Sequence, residues 1–252
     1  MLFQLKVDSH VHTINSVHAY STLRECSREA KNKKLECIVV TDHFGPFFLN
    51  GSLFQSFAGI ANITRASKLD EGVRILSGVE IDIVNKKGDL AFFDKNFFFD
   101  KSKSVGEKLC DSVNIVIASY HDIYGDLTFS ENTTMLSKVL RHPAVNILGH
   151  CDRIKGGFDL DKILSIAKAE GKIIELNCSS LSSGLKAEQK IKKLASACMQ
   201  KKVLVSIGSD AHIDYEIGNF DQMRRILTSI NFPKELIVTE NILTFSKYLR
   251  IK

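Results

Sequence analysis

The chain has 252 residues, 44% of them hydrophobic and 25% charged, close to the globular average and enough for one large domain with a substantial core. Its formal charge of +5 comes from lysines that are scattered rather than clustered, which argues against nucleic-acid binding, and no window approaches the roughly 18 apolar residues of a membrane span. The opening MLFQLKVD lacks the basic stretch and long apolar run of a secretory leader, and six cysteines without a C-x-x-C pair suit reduced, buried thiols, so a cytoplasmic protein is expected.

Seven short runs rich in Val and Ile read as buried parallel strands, with helical patterns between them. The first is LKVDS (5–9). After it, Thr22-Leu23-Arg24-Glu25 forms a capping box that opens a helix with Leu23, Cys26 and Ala30 on one face. The second run, ECIVVT (36–41), precedes a helical stretch over 53–69. The third, VRILSG (73–78), leads into an insertion at 80–94 whose Lys-Lys-Gly-Asp turn suggests a hairpin. VNIVIAS (113–119), VNILG (145–149), KIIELN (172–177) and VLVSIG (203–208) complete the set, with helices expected over 130–141, 159–170, 187–200, 219–229 and 240–250. Pro46, Pro143 and Pro233 fall in loops or at helix ends, and no Pro/Gly/Ser-rich linker divides the chain. Repeated βα units predict an α/β fold spanning residues 1–252 as a single domain, a closed seven-stranded (β/α) barrel of TIM-barrel type, with an open doubly wound sheet as the alternative.

Functional residues of such a barrel gather at the C-terminal ends of the strands. The first strand runs into His10 and His12, with His18 on the next loop, and the second ends in Asp42-His43. The third is followed by Glu80, the fourth by His121, the fifth by His150 and the sixth by Asn177, while the seventh leads to Asp210 and His212. Of eight histidines, only His142 lies elsewhere, at a helix end. On a strand, residues i and i+2 share a face about 6.5–7 Å apart, so His10 and His12 can address one ion. Asp210 and His212 repeat that spacing, and barrel closure would set the seventh strand beside the first. Imidazole and carboxylate donors without clustered thiolates suit zinc, manganese or iron. Nine candidate ligands exceed the coordination of one ion and suit two or three.

The ordered set H-x-H, TDH, G-x-E, AS-x-H, GH and SDAH resembles the PHP (polymerase and histidinol phosphatase) family across essentially the whole chain. The segments NSVHAYSTLRE and ELNCSS are most similar to a bacterial phosphatase branch with a trinuclear zinc site in a distorted seven-stranded (β/α) barrel. That resemblance implies three metal positions: His10, His12, Glu80 and Asp210 at the first; Glu80 bridging to a second with His121 and His150; and His18, His43 and His212 at the third. It also implies a homo-oligomer, since trimers occur in that branch. Some relatives carry proline after the fifth-strand histidine, where this chain has Cys151-Asp152-Arg153; the departure removes no ligand but bears on the local loop and on substrate choice.

A site rich in divalent ions favours a dianionic phosphate ester, and metal coordination lowers the pKa of bound water toward about 7. The expected reaction is in-line attack by metal-bound hydroxide on a small phosphorylated metabolite, a phosphomonoester, without a covalent protein intermediate. Phosphodiesterase or exonuclease activity is the alternative, as is histidinol phosphatase activity specifically; a non-catalytic module would have lost ligands, and this chain has lost none. Asp42, Asn177 and Arg153 are the candidate catalytic residues outside the ligand set: Asp42 to orient a ligand or relay a proton, Asn177 to meet substrate, and Arg153, with Arg24 as a second choice, to pair with phosphate. Tyr20 and Ser21 are placed at the pocket mouth, and Phe92, Phe93, Phe97, Phe98 and Phe99 in the core or a subunit contact.

Overall fold

The computed structural model describes residues 3–68 and 72–249. Its centre is a parallel sheet of β1 (Val7–Val11), β2 (Cys37–Val40), β3 (His43–Phe44), β4 (Arg74–Asp82), β5 (Ile115–Ser119), β6 (Ile147–Leu148), β7 (Ile173–Asn177) and β8 (Val205–Gly208). The strand order is β1-β2-β4-β5-β6-β7-β8, with β3 paired to β4. The seven expected strands are therefore present, together with a short eighth. β4 is the hinge of this arrangement. β2 pairs with its first half, Arg74 to Ser77, and β3 pairs with Glu80 and Ile81. Between β2 and β3 the chain leaves the ladder, and the carbonyls of Thr41 and Asp42 both accept from Glu80 N at 3.2 Å.

Sheet closure joins the two ends of the sequence. Val11 bridges in parallel to Ala211, Asp210 N donates to the His10 carbonyl at 2.8 Å, and His12 N donates to that of Ala211 at 2.9 Å. The strands are buried on both faces, as Val/Ile-rich parallel strands must be. Alternate residues fall in separate apolar clusters: Ile38, Val40, Val116 and Ala118 pack with the helices, whereas Cys37, Val39, Ile115 and Ile117 form a smaller interior group. Val238 and Phe245 from the C-terminal segment join that interior group.

The outer layer comprises α1 (Leu23–Asn32), α2 (Leu53–Ala61), α3 (Val105–Ser112), α4 (Phe129–Leu140), α5 (Leu160–Ala169), α6 (Leu185–Lys201), α7 (Asp221–Ser229) and α8 (Ile242–Leu249). Thr22/Glu25, Ser52/Gln55, Ser104/Glu107 and Thr128/Glu131 form complete capping boxes at the starts of α1 to α4, satisfying otherwise orphaned backbone donors.

Two expectations need correction, and a third is resolved residue by residue. The helix expected over 53–69 is α2 followed by a 3-10 segment, Ile63–Lys68, and residue 69 lies outside the described residues, as does residue 250 of the last expected helix. The insertion expected at 80–94 begins later, because β4 continues through Glu80 to Asp82. Beyond Asp82 the chain makes a turn held by one antiparallel bridge, Ile83 to Leu90, with Gly88 at φ +72°. The Phe-rich stretch is divided: Phe97 is buried, Phe92 and Phe93 are half-buried against the core, and Phe98 and Phe99 are exposed.

Candidate metal centre

The first-strand histidines converge. His10 and His12, both fully buried, place their Nε2 atoms 3.0 Å apart, a separation at which at most one proton fits between two imidazoles. Asp210 Oδ1 stands 3.6 Å and 3.2 Å from those nitrogens, and Glu80 Oε2 stands 3.4 Å and 3.5 Å away. On the other side of Glu80, Oε1 meets His150 Nε2 at 2.8 Å and lies 3.6 Å from His121 Nε2. Glu80 thus faces two groups of nitrogens with its two oxygens. Its Oε2 also lies 2.7 Å from His43 Nδ1, yet neither atom has a hydrogen-bond partner despite burial.

Among the described residues, four groups bring ligand atoms within 4.8 Å of one another: His10, His12 and Asp210; Glu80, His121 and His150; His12, His43 and His212; and His43, Asp82 and His121. His18 stands at their edge, with its ring stacked on His212 at 4.4 Å and on His43 at 5.0 Å between centroids. Crowded imidazoles, ionised carboxylates and unpartnered buried atoms fit cations, and nitrogen with oxygen donors suits zinc, manganese or iron.

Local backbone geometry builds the cluster. His10 lies within β1, His43 within β3 and Glu80 within β4. The equal-spacing expectation for Asp210 and His212 fails, because both lie beyond β8 and Asp210 has φ +57°. A left-handed residue breaks the extended alternation, so the two side chains join different groups. A non-glycine residue held there is strained, as functional sites often are. Gly208 is required for a different reason: a Cβ there would lie 2.5 Å from His10 Cβ and 2.6 Å from Glu175 Oε1.

Electrostatics arise from burial and sign. Complete burial works against charge on His10, but Glu175, Glu80 and Asp210 push its pKa well above the ordinary value. Burial and the neighbouring His43 hold His12 well below it. Glu80 is also desolvated, yet His43 and His10 hold it well below the usual carboxylate range; His10, His12 and Arg153 do the same for Asp210. Burial, with His212 and His43 adding repulsion, lowers His18 to about 4.

The residues expected outside the ligand set have definite places. Asp42 is buried and accepts from Thr13 N, Thr13 Oγ1 and Ser16 Oγ. Ser16 Oγ in turn lies 3.1 Å from His12 Nδ1 and accepts from His43 N. The Asp42 carboxylate therefore reaches the cluster through Ser16. Asn177 donates from Nδ2 to Glu175 and Asp210, while its Oδ1 accepts from Arg153 Nη2 at 2.7 Å. Arg153 Nη2 also donates to Asp210 Oδ2 at 2.9 Å. Tyr20 is largely exposed, and its backbone N–H donates to the His212 carbonyl; Ser21 is buried and its hydroxyl accepts from Asp214 N. Arg24 is exposed on the first turn of α1. His142 lies apart, its ring edge-on to Phe93.

Two buried carboxylates were not anticipated. Glu175 Oε1 lies 2.7 Å from His10 Nδ1, and Asp82 Oδ1 lies 3.0 Å from His121 Nδ1. Both carboxylates stand in apolar strands, where an acid is tolerated only with partners.

Residues 8–179 match the family model described as "PHP domain". A curated protein of Acetivibrio thermocellus named "Probable phosphatase" is 33% identical over 98% of this chain and 95% of its own length. Another of that name from Caldanaerobacter subterraneus subsp. tengcongensis is 34% identical over all of this chain and 94% of its own. Among solved structures, histidinol phosphate phosphatase from Lactococcus lactis, complexed with zinc, L-histidinol and phosphate, aligns with a TM-score of 0.63 at 19% identity, covering 91% of this chain and 95% of that one. Its likeness is one of fold.

Proposed function

The chain belongs to the PHP domain family, and on that premise we propose that it is a metal-dependent phosphatase acting on a small phosphomonoester. The observation that carries the reading is the set of overlapping nitrogen and oxygen groups at one end of the barrel. The relatives named as phosphatases, and the zinc and phosphate named with the Lactococcus structure, support it.

In this reading His10, His12, Glu80 and Asp210 hold one divalent ion, Glu80, His121 and His150 a second, and His18, His43 and His212 a third. Zinc suits this donor set foremost, with manganese or iron as alternatives. When bound, such ions supply Lewis acidity toward phosphoryl oxygens and lower the pKa of coordinated water toward about 7. The chain's own residues then do the positioning. Glu80 spans two groups with its two oxygens, and Arg153 holds Asp210 and Asn177 together while keeping a partly exposed guanidinium at the site. Its charge suits a phosphate oxygen, and Asn177 orders the polar floor beneath it. Asp42, through Ser16, fixes His12 and His43.

A monoester is favoured over a nucleic-acid end by what surrounds the cluster. Asp122, Asp126, Asp214 and Glu216 lie on the loops after β5 and β8, and Lys155 is engaged by Asp122 and Asp126. A polyanion needs the opposite field. Six free cysteines, most of them buried, suit a reducing compartment such as the cytoplasm.

Hydrolysis of p-nitrophenyl phosphate and bis-p-nitrophenyl phosphate by one sample, assayed after addition of zinc or manganese, tests the proposal. Faster turnover of the monoester supports it and justifies a metabolite panel that includes histidinol phosphate. Faster turnover of the diester moves the reading to a phosphodiesterase, and cleavage of neither by metal-loaded protein overturns both.

A further inference from the structure

Among the described residues, two histidines of the cluster have Nδ1 within 3.0 Å of a carboxylate outside the expected ligand set. We propose that Glu175 and Asp82 are positioning residues that hold His10 and His121 by ring Nδ1, so that each presents Nε2 to a different metal ion. The inference rests on the metal-dependent reading above.

The geometry is the same twice. Glu175 Oε1 lies 2.7 Å from His10 Nδ1, while His10 Nε2 faces Glu80 and Asp210. Asp82 Oδ1 lies 3.0 Å from His121 Nδ1, while His121 Nε2 faces Glu80. An ionised carboxylate can only accept, so the proton of a neutral ring must sit on Nδ1, leaving the Nε2 lone pair free for an ion. The second oxygen of each carboxylate is also committed. Glu175 Oε2 accepts from His150 N at 2.8 Å and Asn177 Nδ2 at 3.1 Å; Asp82 Oδ2 accepts from Tyr124 OH at 2.5 Å. Neither carboxylate can rotate away without abandoning a hydrogen-bond donor.

Each carboxylate also lies against a glycine at which a Cβ would force a shift. A Cβ on Gly208 would stand 2.6 Å from Glu175 Oε1, and one on Gly45 would stand 1.7 Å from Asp82 Oδ2. The device is selective. His150 Nδ1 is buried without a partner, and His12 Nδ1 faces the hydroxyl of Ser16. His10 groups with His12 and Asp210, whereas His121 groups with Glu80 and His150 and also with His43 and Asp82, so the two backed histidines belong to separate groups.

The test compares the zinc-loaded wild-type chain with Glu175→Gln, Asp82→Asn and Tyr124→Phe. Zinc retained per chain is measured by elemental analysis against a graded chelator, and ring-nitrogen NMR spectra report the tautomers. Expected are protonated Nδ1 atoms on His10 and His121 in the wild-type chain. Expected also is one ion released roughly 10- to 100-fold more readily in each carboxylate variant, additively in the double variant, with a smaller effect for Tyr124→Phe. The wild-type spectrum and Tyr124→Phe keep the test valid even where a buried-carboxylate variant fails to fold. Zinc-loaded wild-type protein with either ring protonated on Nε2, or with no protonated Nδ1 on His121 because Asp82 itself ligates an ion, overturns the inference alone. Variants that hold every ion as tightly as the wild type do the same. A wild-type chain that takes up no zinc overturns the metal-dependent reading along with it.

Discussion

His10 and Asp210, two hundred positions apart in sequence, are joined twice: Asp210 N donates to the His10 carbonyl at 2.8 Å, and Asp210 Oδ1 lies 3.6 Å from His10 Nε2. The backbone bond closes the barrel and the side-chain approach builds the cluster, so fold and site share one seam. A substitution that removes only the side chain should therefore spare the fold and empty the site.

His10→Ala and Asp210→Ala are the direct test. Each should lower p-nitrophenyl phosphate turnover by at least about 100-fold and reduce bound metal, since first ligands matter more than the partners behind them. Circular dichroism should match the wild type. A folded His10→Ala protein with wild-type activity and metal content would mean that the three-ion assignment is wrong.

Chelation should destabilise the protein without unfolding it. An ion present at about 100 times its Kd contributes about 2.7 kcal/mol, which for a chain of this size corresponds to a Tm shift of about 5–10 °C per site. Differential scanning calorimetry before and after chelation, and again after zinc is restored, reads this out. An unchanged Tm at every zinc concentration would contradict ion binding by the folded state.

Gly208→Ala should be costly for its size. The added methyl would press on His10 Cβ and Glu175 Oε1, and overpacking of this kind costs about 1–3 kcal/mol. Urea unfolding should show that loss together with weakened metal retention. Retention equal to wild type would show that the His10–Glu175 contact is not needed.

Asp8 supplies a pH dependence of known sign. Burial pushes its carboxyl up to about 6 from an ordinary 3.8, against the hydrogen bonds from Ser209, Gly218 and His10. The folded chain takes up the proton before the unfolded one does. The stability tied to that proton is therefore complete below 3.8 and is lost as pH rises through 6, about 3 kcal/mol in all. In metal-free protein, wild type should gain on Asp8→Asn by that order between pH 7 and pH 4 in urea titrations. A difference that stays flat with pH would contradict the assignment.

The strands could be read from sequence because Val/Ile-rich runs bounded by polar segments leave little else to be. β3 could not, since two residues carry no periodicity and its pairing depends on Glu80 and Ile81 far along the chain. α3 had its capping box in Ser104 and Glu107, but its eight residues offer too short an apolar face to stand out. The nine candidate ligands were visible because each comes at or just after a strand's end. Glu175 escaped notice as a single acid within a short apolar run, and Asp82 because it fell in the insertion expected over 80–94, where an acid passes for a loop residue, whereas β4 in fact continues through it. The signal was present in KIIELN, an acid in a run otherwise apolar on both faces. The left-handed Asp210 had no signature, because its conformation is imposed by barrel closure.

That closure has a consequence for how the protein is made. At a synthesis rate of about 5–20 residues per second, the 200 residues between His10 and Asp210 take about 10–40 s to emerge. Through that interval β1 waits with His10 in it and His12 just past its end, one edge unpaired until residues 205–211 arrive. The nascent chain passes through a stage of partial ligands and an open sheet edge, and it relies on the ribosome's pace and on whatever shields such edges in the cell.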